Sequence, residues 1–357
     1  MGGVEELIGQ ICSGAAKRGV TSEVLTVSRN PTTVDFGDHV HHRAKLDVEI
    51  ASSAFSIAAF KRFAELARDA DLIHYHFPWP FADVVHFATH LRKPTVVTYH
   101  SDIVRQKVLL QLYRPLRDRF LASVDKIVAT SPNYVATSTV LKRYRDKVEI
   151  IPIGLDPASY PAPSSARLRY WKDRAGEKFF LFVGNLRYYK GLHILLDSLR
   201  GTDFRVIIVG AGPIESELRD QATRLRLSQV EFVGPVDDDD KIALLTLCRA
   251  LVFPSHLRSE AFGISLLEGA MFGKALISAE IGTGTSYVNV DSETGIVVPP
   301  SDAASLRNAM DSLWADEALA TRLGANARKR FEAHFTAERM VESYVAVYDS
   351  LVRQTES

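Results

Sequence analysis

Two doubly wound α/β domains are predicted from three features of the sequence. Short β-rich runs alternate with helical patterns from one end of the 357 residues to the other, the order expected of sheets with crossover helices. Several runs are continuously apolar, FFLFVG at 179–184 and RVIIVG at 205–210 among them, which suits strands buried on both faces of a parallel sheet. The chain is also longer than one hydrophobic core usually accommodates, so two domains of ordinary size are expected.

In the first half, strands are expected at 23–27, 72–76, 95–99, 126–130 and 148–152. In the second half they are expected at 179–183, 205–209, 230–233, 250–254, 275–278 and 295–298. Between them, stretches such as 56–68, 214–225 and 302–314 carry apolar residues at helical spacing. The segment IGLDPASYPAPSSAR, beginning at Ile153, sets three prolines among small polar residues, the composition of a linker. The expected domains are therefore 1–160 and 161–335, with a last helix in 336–357 long enough to cross back to the first.

The opening is anomalous. MGGVEELIGQI is a glycine turn running straight into a helix, with no strand before it. A glycine turn of this kind normally follows the first, central strand of a doubly wound sheet. Its absence would leave two neighbouring strands with unpaired backbone groups, each costing on the order of 1–3 kcal/mol when buried. The first N-terminal strand is thus expected to be missing, with the true start upstream of Met1.

An apolar content of 46% with 24% charged residues describes a well-packed globular protein. Lysine plus arginine equals aspartate plus glutamate at 43 each, so net charge gives no reason to expect nucleic acid as a partner. Cys12 and Cys248 sit in separate apolar helical patterns and read as buried thiols of a reducing compartment. No apolar run is long enough to span a bilayer and no leader precedes the first polar residues. A cytoplasmic protein is expected.

The strongest chemical signal is EAFGISLLE, from Glu260 to Glu268. Two glutamates straddle the start of a helix that follows a buried strand. Gly263 lets a ligand approach the backbone, and the free amides of Phe262, Gly263 and Ile264 form a positive site for a diphosphate or sugar hydroxyls. A surface helix with an acidic start would look the same. The second signal is GNLRYYKG at 184–191, which puts Arg187 and Lys190 beyond the carboxyl end of a parallel strand, where open α/β sheets bind ligands. Two fixed cations there can stabilise a departing diphosphate in place of a metal; solvated loop charges are the plain alternative.

Together, and in this order, these patterns resemble the retaining GT-B glycosyltransferases of family 4. The strand end FPS at 253–255 and GIVVPPSD at 295–302 fit the same family, and the resemblance covers nearly the full chain. More narrowly, HYHFPWPF, TYHSDIVRQ, LRYYKG and PSHLRSEAFGISLLEGAMFGK look like bacterial transferases that add mannose or D-rhamnose in lipopolysaccharide O-chain assembly. The resemblance implies two facing nucleotide-fold domains across a cleft and a GDP-linked sugar donor. The acceptor would be a growing saccharide on a polyisoprenyl diphosphate carrier. No cofactor and no metal would be needed. Arg187 and Lys190 would hold the diphosphate and Glu268 the ribose hydroxyls. Glu260 and the amides of Phe262, Gly263 and Ile264 would face the sugar. Gly2 and Gly3 match the N-terminal glycine loop. His100 matches a histidine that contacts the sugar at the reaction centre. In this family the leaving phosphate accepts the acceptor's proton on the same face. One departure is Glu280-Ile-Gly-Thr-Gly-Thr, where a Gly-Gly loop is common.

Other features are weaker. Asp237 to Asp240 contains a D-x-D spacing but stands at a helix start, where aspartates cap free amides. Gly210-Ala-Gly212 lacks the third glycine of a dinucleotide fingerprint. His86 and His90 have metal-pair spacing without a third ligand, while His74 and His76 share one strand face. Trp79 could stack on an acceptor sugar or anchor a loop. The run 103–121, with Arg105, Lys107, Arg114, Arg117 and Arg119, fits either a peripheral inner-membrane contact or an ordinary amphipathic helix interrupted at Pro115. Rival functions are a nucleotide-sugar epimerase and a donor-binding protein without turnover.

Overall fold

The computed structural model describes residues 3–50, 53–89, 92–103 and 107–356. Two compact units divide the chain: Met1–Ile153 with Ala337–Ser357, and Gly154–Thr336. The passage between them precedes the proline-rich stretch rather than following it. Leu155 is already tied into the second unit, donating its N–H to the Phe335 carbonyl at 2.9 Å and bridging Thr336.

The first unit contains strands β1 (Ser22–Ser28), β2 (Thr32–Asp35), β3 (His39–Lys45), β4 (Val48–Ile50) and β5 (Ser53–Phe55). They are followed by β6 (Ile73–Phe77), β7 (Thr95–Tyr99), β8 (Lys126–Ala129) and β9 (Val148–Ile150). The last four form a parallel sheet in chain order, and β7 is buried at every position. The parallel pair β1 and β3, with β2 antiparallel at its edge, makes a second sheet; β4 and β5 form a hairpin. Among the described residues no strand pairs with the outer edges of β1 and β6. Two sheets therefore stand where a doubly wound domain has one.

Strands β2 to β5 are not evident in the sequence. HVHHRAK, the β3 segment, has no run of apolar residues, and its buried His42 is held by cross-strand polar partners instead. One ring nitrogen meets Glu23 on β1 and the other Thr33 Oγ1 on β2 at 3.2 Å. The first helix, Gly3–Ala16, packs on the last, Ala337–Glu356. Gly14 permits that approach, since a Cβ there would stand 2.5 Å from Val341 Cγ2.

The helix Lys107–Ser123 continues through Pro115, contrary to the expected interruption. Proline removes one intrahelical N–H bond, but Arg117, Phe120 and Leu121 beyond it are buried and hold the turn in place. Tyr113 on this helix donates to Asp83 on the helix Pro80–Thr89. Trp79 is a loop anchor: its indole N–H donates to the Ala54 carbonyl at 3.0 Å and its ring packs with Phe81. His86 is engaged structurally by Tyr75 and Ser123; His90 and Arg105 lie outside the described residues.

The second unit is one six-stranded parallel sheet. Its strands are β10 (Phe180–Val183), β11 (Val206–Val209), β12 (Val230–Gly234), β13 (Ala250–Phe253), β14 (Ala275–Ala279) and β15 (Gly295–Val298). Their spatial order is β12-β11-β10-β13-β14-β15. The apolar runs read from sequence are its core: Phe180, Phe182, Val206, Ile208, Ala250, Val252 and Ile277 are buried in one cluster with residues of the flanking helices. Asp237 caps the helix Asp238–Leu247 by accepting from the Asp240 amide at 2.8 Å. Asp240 in turn accepts the Trp171 indole N–H at 2.8 Å, so the acidic run is structural.

Burial pushes the Asp83 carboxyl up to about 7, despite opposing contributions from Tyr113 and Arg117. The folded value lies above the unfolded 3.8, so the stability this group confers is complete below 3.8 and is lost as pH rises towards 7. Asp83→Asn keeps the shape without the charge, and Arg117 retains Asp118 as a partner at 2.6 Å. The variant should gain stability relative to the parent between pH 4 and pH 8. Urea denaturation at those two values measures the change.

Candidate active site

The strand order of the second unit reverses between β10 and β13. The chain steps outward from β10 to β11 and β12, then returns to lay β13 on the other side of β10. The carboxyl ends of β10 and β13 flank that reversal, the place where open α/β sheets bind ligands. Both sequence signals fall on these loops.

The loop after β10 carries Arg187 and Lys190. Residues Tyr188–Lys190 form a single 3₁₀ turn that ends at Gly191 with φ 72°. A Cβ at 191 would stand 2.0 Å from the Pro254 carbonyl oxygen, so only glycine lets this loop lie against the start of the loop after β13. That approach delivers the Lys190 ammonium to Glu260, Nζ to Oε2 2.5 Å, over the face of Phe253 at 4.6 Å. Both side chains are nearly buried, 12% and 11% exposed. Lys190 and Glu260 were expected to meet different parts of a ligand; in the structure they also meet each other. Arg187 is exposed, and its guanidinium has no ion-pair partner among the described residues.

The loop after β13 is fastened along its length. His256 donates its backbone N–H to the Tyr189 carbonyl at 3.0 Å, and its ring lies between the Tyr188 carbonyl, 3.1 Å from Nε2, and Ser301 Oγ, 3.0 Å from Nδ1. Arg258 donates to the Gly282 carbonyl at 2.7 Å, and the Gly284 amide donates to the Ala261 carbonyl at 2.8 Å. The departing Gly-Thr-Gly segment is thereby moored to the residues flanking Glu260. Phe262 turns its ring inward, edge-on to Phe335, which leaves its backbone as the part able to meet a ligand. Gly263, φ 92°, starts the helix Ile264–Met271 with no side chain capping its amides.

Glu268 lies on that helix, 5% exposed. Its Oε1 accepts from Tyr160 Oη at 3.1 Å and pairs with Lys241 Nζ at 3.1 Å. Burial works against the Lys241 charge, but Glu268, and Asp238 behind it, outweigh it and hold the ammonium above its usual value. Neither Tyr160 nor Lys241 was expected here. Tyr160 sits in the proline-rich stretch, and Lys241 follows the aspartate run; nothing in either local pattern marks it.

His100 belongs to the first unit, just after β7. Its backbone N–H donates to the Phe77 carbonyl at 3.0 Å, and its Nε2 lies 2.9 Å from His76 Nδ1 with the rings stacked. Burial lowers His100 to about 4, so the ring is neutral at pH 7. Gly3 is the first residue of the first helix; Gly2 lies outside the described residues.

The chain has extensive likenesses. Residues 1–159 match the family Glycosyltransferase Family 4 and residues 169–330 match Glycosyl transferases group 1. The D-rhamnosyltransferase WbpZ of Pseudomonas aeruginosa is 59% identical, over 94% of this chain and 89% of that protein. The O-antigen chain mannosyltransferase C of Escherichia coli is 51% identical, over 98% of this chain and 95% of that protein. Among solved structures, a sucrose-phosphate synthase from Thermosynechococcus elongatus superposes with a TM-score of 0.81 at 22% identity, covering 99% of this chain and 94% of the other. Anabaena HepE in complex with UDP and glucose gives 0.78 at 21%, covering 98% and 96%.

Removing one member of a nearly buried ion pair leaves the other uncompensated, at about 3 kcal/mol. Lys190→Met and Glu260→Gln should each lower unfolding stability by about that much. The double variant should lose clearly less than their sum. Equilibrium denaturation of the four proteins completes the cycle.

Proposed function

The chain belongs to the family 4 glycosyltransferases of GT-B fold, and from that premise we propose that it transfers mannose or D-rhamnose from a GDP-linked donor to a growing saccharide. The acceptor is carried on a polyisoprenyl diphosphate, and the step belongs to lipopolysaccharide O-chain synthesis in the cytoplasm. The names of the two relatives, both aligned over almost their whole length, support the sugar and the pathway.

The observation that carries the reading is the meeting of Lys190 with Glu260 at the reversal of strand order. It assembles a cation, a carboxylate and the uncapped start of a helix at one place. In the proposed reaction Lys190 and the exposed Arg187 hold the donor diphosphate, with the amides of Gly263 and Ile264 adding their dipoles. An ammonium has three N–H donors, so Glu260 engages one and steers the rest. Glu268, fixed by Tyr160 and Lys241, takes the ribose hydroxyls. Glu260 and His100 contact the transferred sugar, and Gly2 and Gly3 line the approach of phosphate and acceptor.

The bond from C1 to the β-phosphate oxygen breaks while the acceptor oxygen bonds C1 from the same face. The departing phosphate takes the acceptor's proton, so configuration is retained. The two cations carry the charge that a metal would otherwise carry. At the membrane surface, Leu112 and Arg119, which share one exposed side of Lys107–Ser123, and the exposed Arg114 suit a peripheral contact with anionic lipid near the carrier. No described helix is long and apolar enough to cross a membrane.

A panel of GDP- and UDP-sugars with lipid-diphosphate saccharides, read by mass spectrometry with and without chelator, tests the proposal. Transfer from GDP-mannose or GDP-D-rhamnose, undiminished by chelator and with retained anomeric configuration, is expected. Arg187→Gln should lower kcat/KM by about 100-fold, the usual scale for losing one group that stabilises developing charge. Transfer only from UDP-sugars, or only with added metal, overturns the donor and metal assignments respectively.

A further inference from the structure

Strands β6 and β7 carry His74, His76 and Thr98 where neighbouring parallel strands usually carry apolar residues, and His100 follows at the end of β7. His74 is fully occupied: its Nδ1 meets Tyr348 Oη at 2.8 Å and its Nε2 meets Thr98 Oγ1 at 2.7 Å, while Thr98 also meets Tyr344 Oη at 2.9 Å. The tyrosines come from the last helix. His74 thus has no nitrogen to offer His76, although their rings lie 4.5 Å apart. Among the described residues, the His76 ring makes one hydrogen bond, to His100, Nδ1 to Nε2, at 2.9 Å. Among the described residues no carboxylate pairs with either ring.

Burial keeps all three imidazoles uncharged: His74 falls to about 3, His100 to about 4, and His76 lies well below its ordinary value, with neighbouring rings adding to the effect at His74 and His76. Between two neutral rings one nitrogen must donate and the other accept. Two arrangements satisfy the observed contact. If His76 Nδ1–H donates, His100 must carry its proton on Nδ1, so both rings adopt the Nδ1–H form. If His100 Nε2–H donates, His76 keeps its own proton on Nε2, and both rings adopt the Nε2–H form. A free histidine side chain favours the proton on Nε2, so the second arrangement has both rings in their preferred state and the first has neither.

We propose that His76 is a positioning residue whose Nδ1 accepts the Nε2–H of His100 and thereby fixes His100 with a bare Nδ1, an acceptor for a hydroxyl of the bound sugar. The tautomer follows from the contact between the two rings; the ligand hydroxyl rests on the reading of His100 as a sugar contact. A hydroxyl is the chemistry that a neutral nitrogen lone pair selects. A phosphate oxygen, which only accepts, is disfavoured at that atom.

The test is a long-range ¹H–¹⁵N correlation spectrum of the full chain with its 11 histidines ¹⁵N-labelled, His100 being assigned by loss of its signals in His100→Asn. The parent should show His100 in a single Nε2–H form. His76→Phe, which cannot accept, should show His100 shifts averaged between the two tautomers. His76→Asn, whose Oδ1 can replace Nδ1, should restore the single form. An Nδ1–H His100 in the parent overturns the proposal. So does a His100 signal that is unchanged in a His76→Phe protein with a cooperative thermal transition.

Activity supplies a separate arm. His76→Phe should lower kcat about 10-fold with donor KM nearly unchanged, and His76→Asn should recover most of it. If His100→Asn turns over like the parent while the spectrum shows the fixed tautomer, the sugar contact is retired and the tautomer assignment stands.

Discussion

A single contact between an ammonium and a carboxylate, Lys190 to Glu260 at 2.5 Å, ties together the two loops at the carboxyl edge of the second unit's sheet. The two residues leave adjacent strands on opposite sides of the point where the sheet reverses its order, so the contact spans the crevice that the topology creates. Bringing both charges largely out of water is unfavourable, and their attraction offsets that cost only because the geometry is close. Several local choices exist to permit it. Gly191 makes room for the Pro254 carbonyl, His256 bonds to the backbone of residues 188 and 189, and Phe253 presents its ring face under the ammonium. A looser crevice would let water separate the pair, and Lys190 would then be an ordinary mobile loop cation.

The second unit was the more legible from sequence. Its strands are continuous apolar runs, and a run of that kind has few alternatives to burial on both faces of a parallel sheet. Once the strands are placed, the residues following β10 and β13 fall at the carboxyl edge of the sheet without further assumption. Pairing across sequence distance was not legible. Arg187, Lys190, Glu260 and Glu268 could be named, but not that Lys190 closes on Glu260, nor that Tyr160 and Lys241 converge on Glu268. Those partners are set by how a proline-rich stretch and a capped helix fold over the sheet, which leaves no periodic trace.

The first unit was less legible, for a different reason. β3 buries His42 against Glu23 and Thr33 rather than burying apolar side chains, and such a strand resembles a loop in composition. The helix through Pro115 shows the converse. A local signal strong enough to predict an interruption is overridden because the turn beyond it is buried. In both places tertiary contacts decide what local propensity leaves open.

The same contrast extends to the chemistry each unit offers. Around β10 and β13 two ammonium groups are held by carboxylates, Lys190 by Glu260 and Lys241 by Glu268. Around β6 and β7 the groups are polar but neutral. Burial depresses the three histidines far enough that a positive charge there would be costly, while Tyr348 and Tyr344 bond to His74 and Thr98. A buried polar network is stabilising only when its members are satisfied, and here the hydroxyls come from the last helix. That helix is therefore bound to β6 and β7 through directional bonds as well as apolar packing. The result is a set of uncharged side chains, His74 fixed in orientation by two hydrogen bonds, in contrast to the ion pairs around β10 and β13.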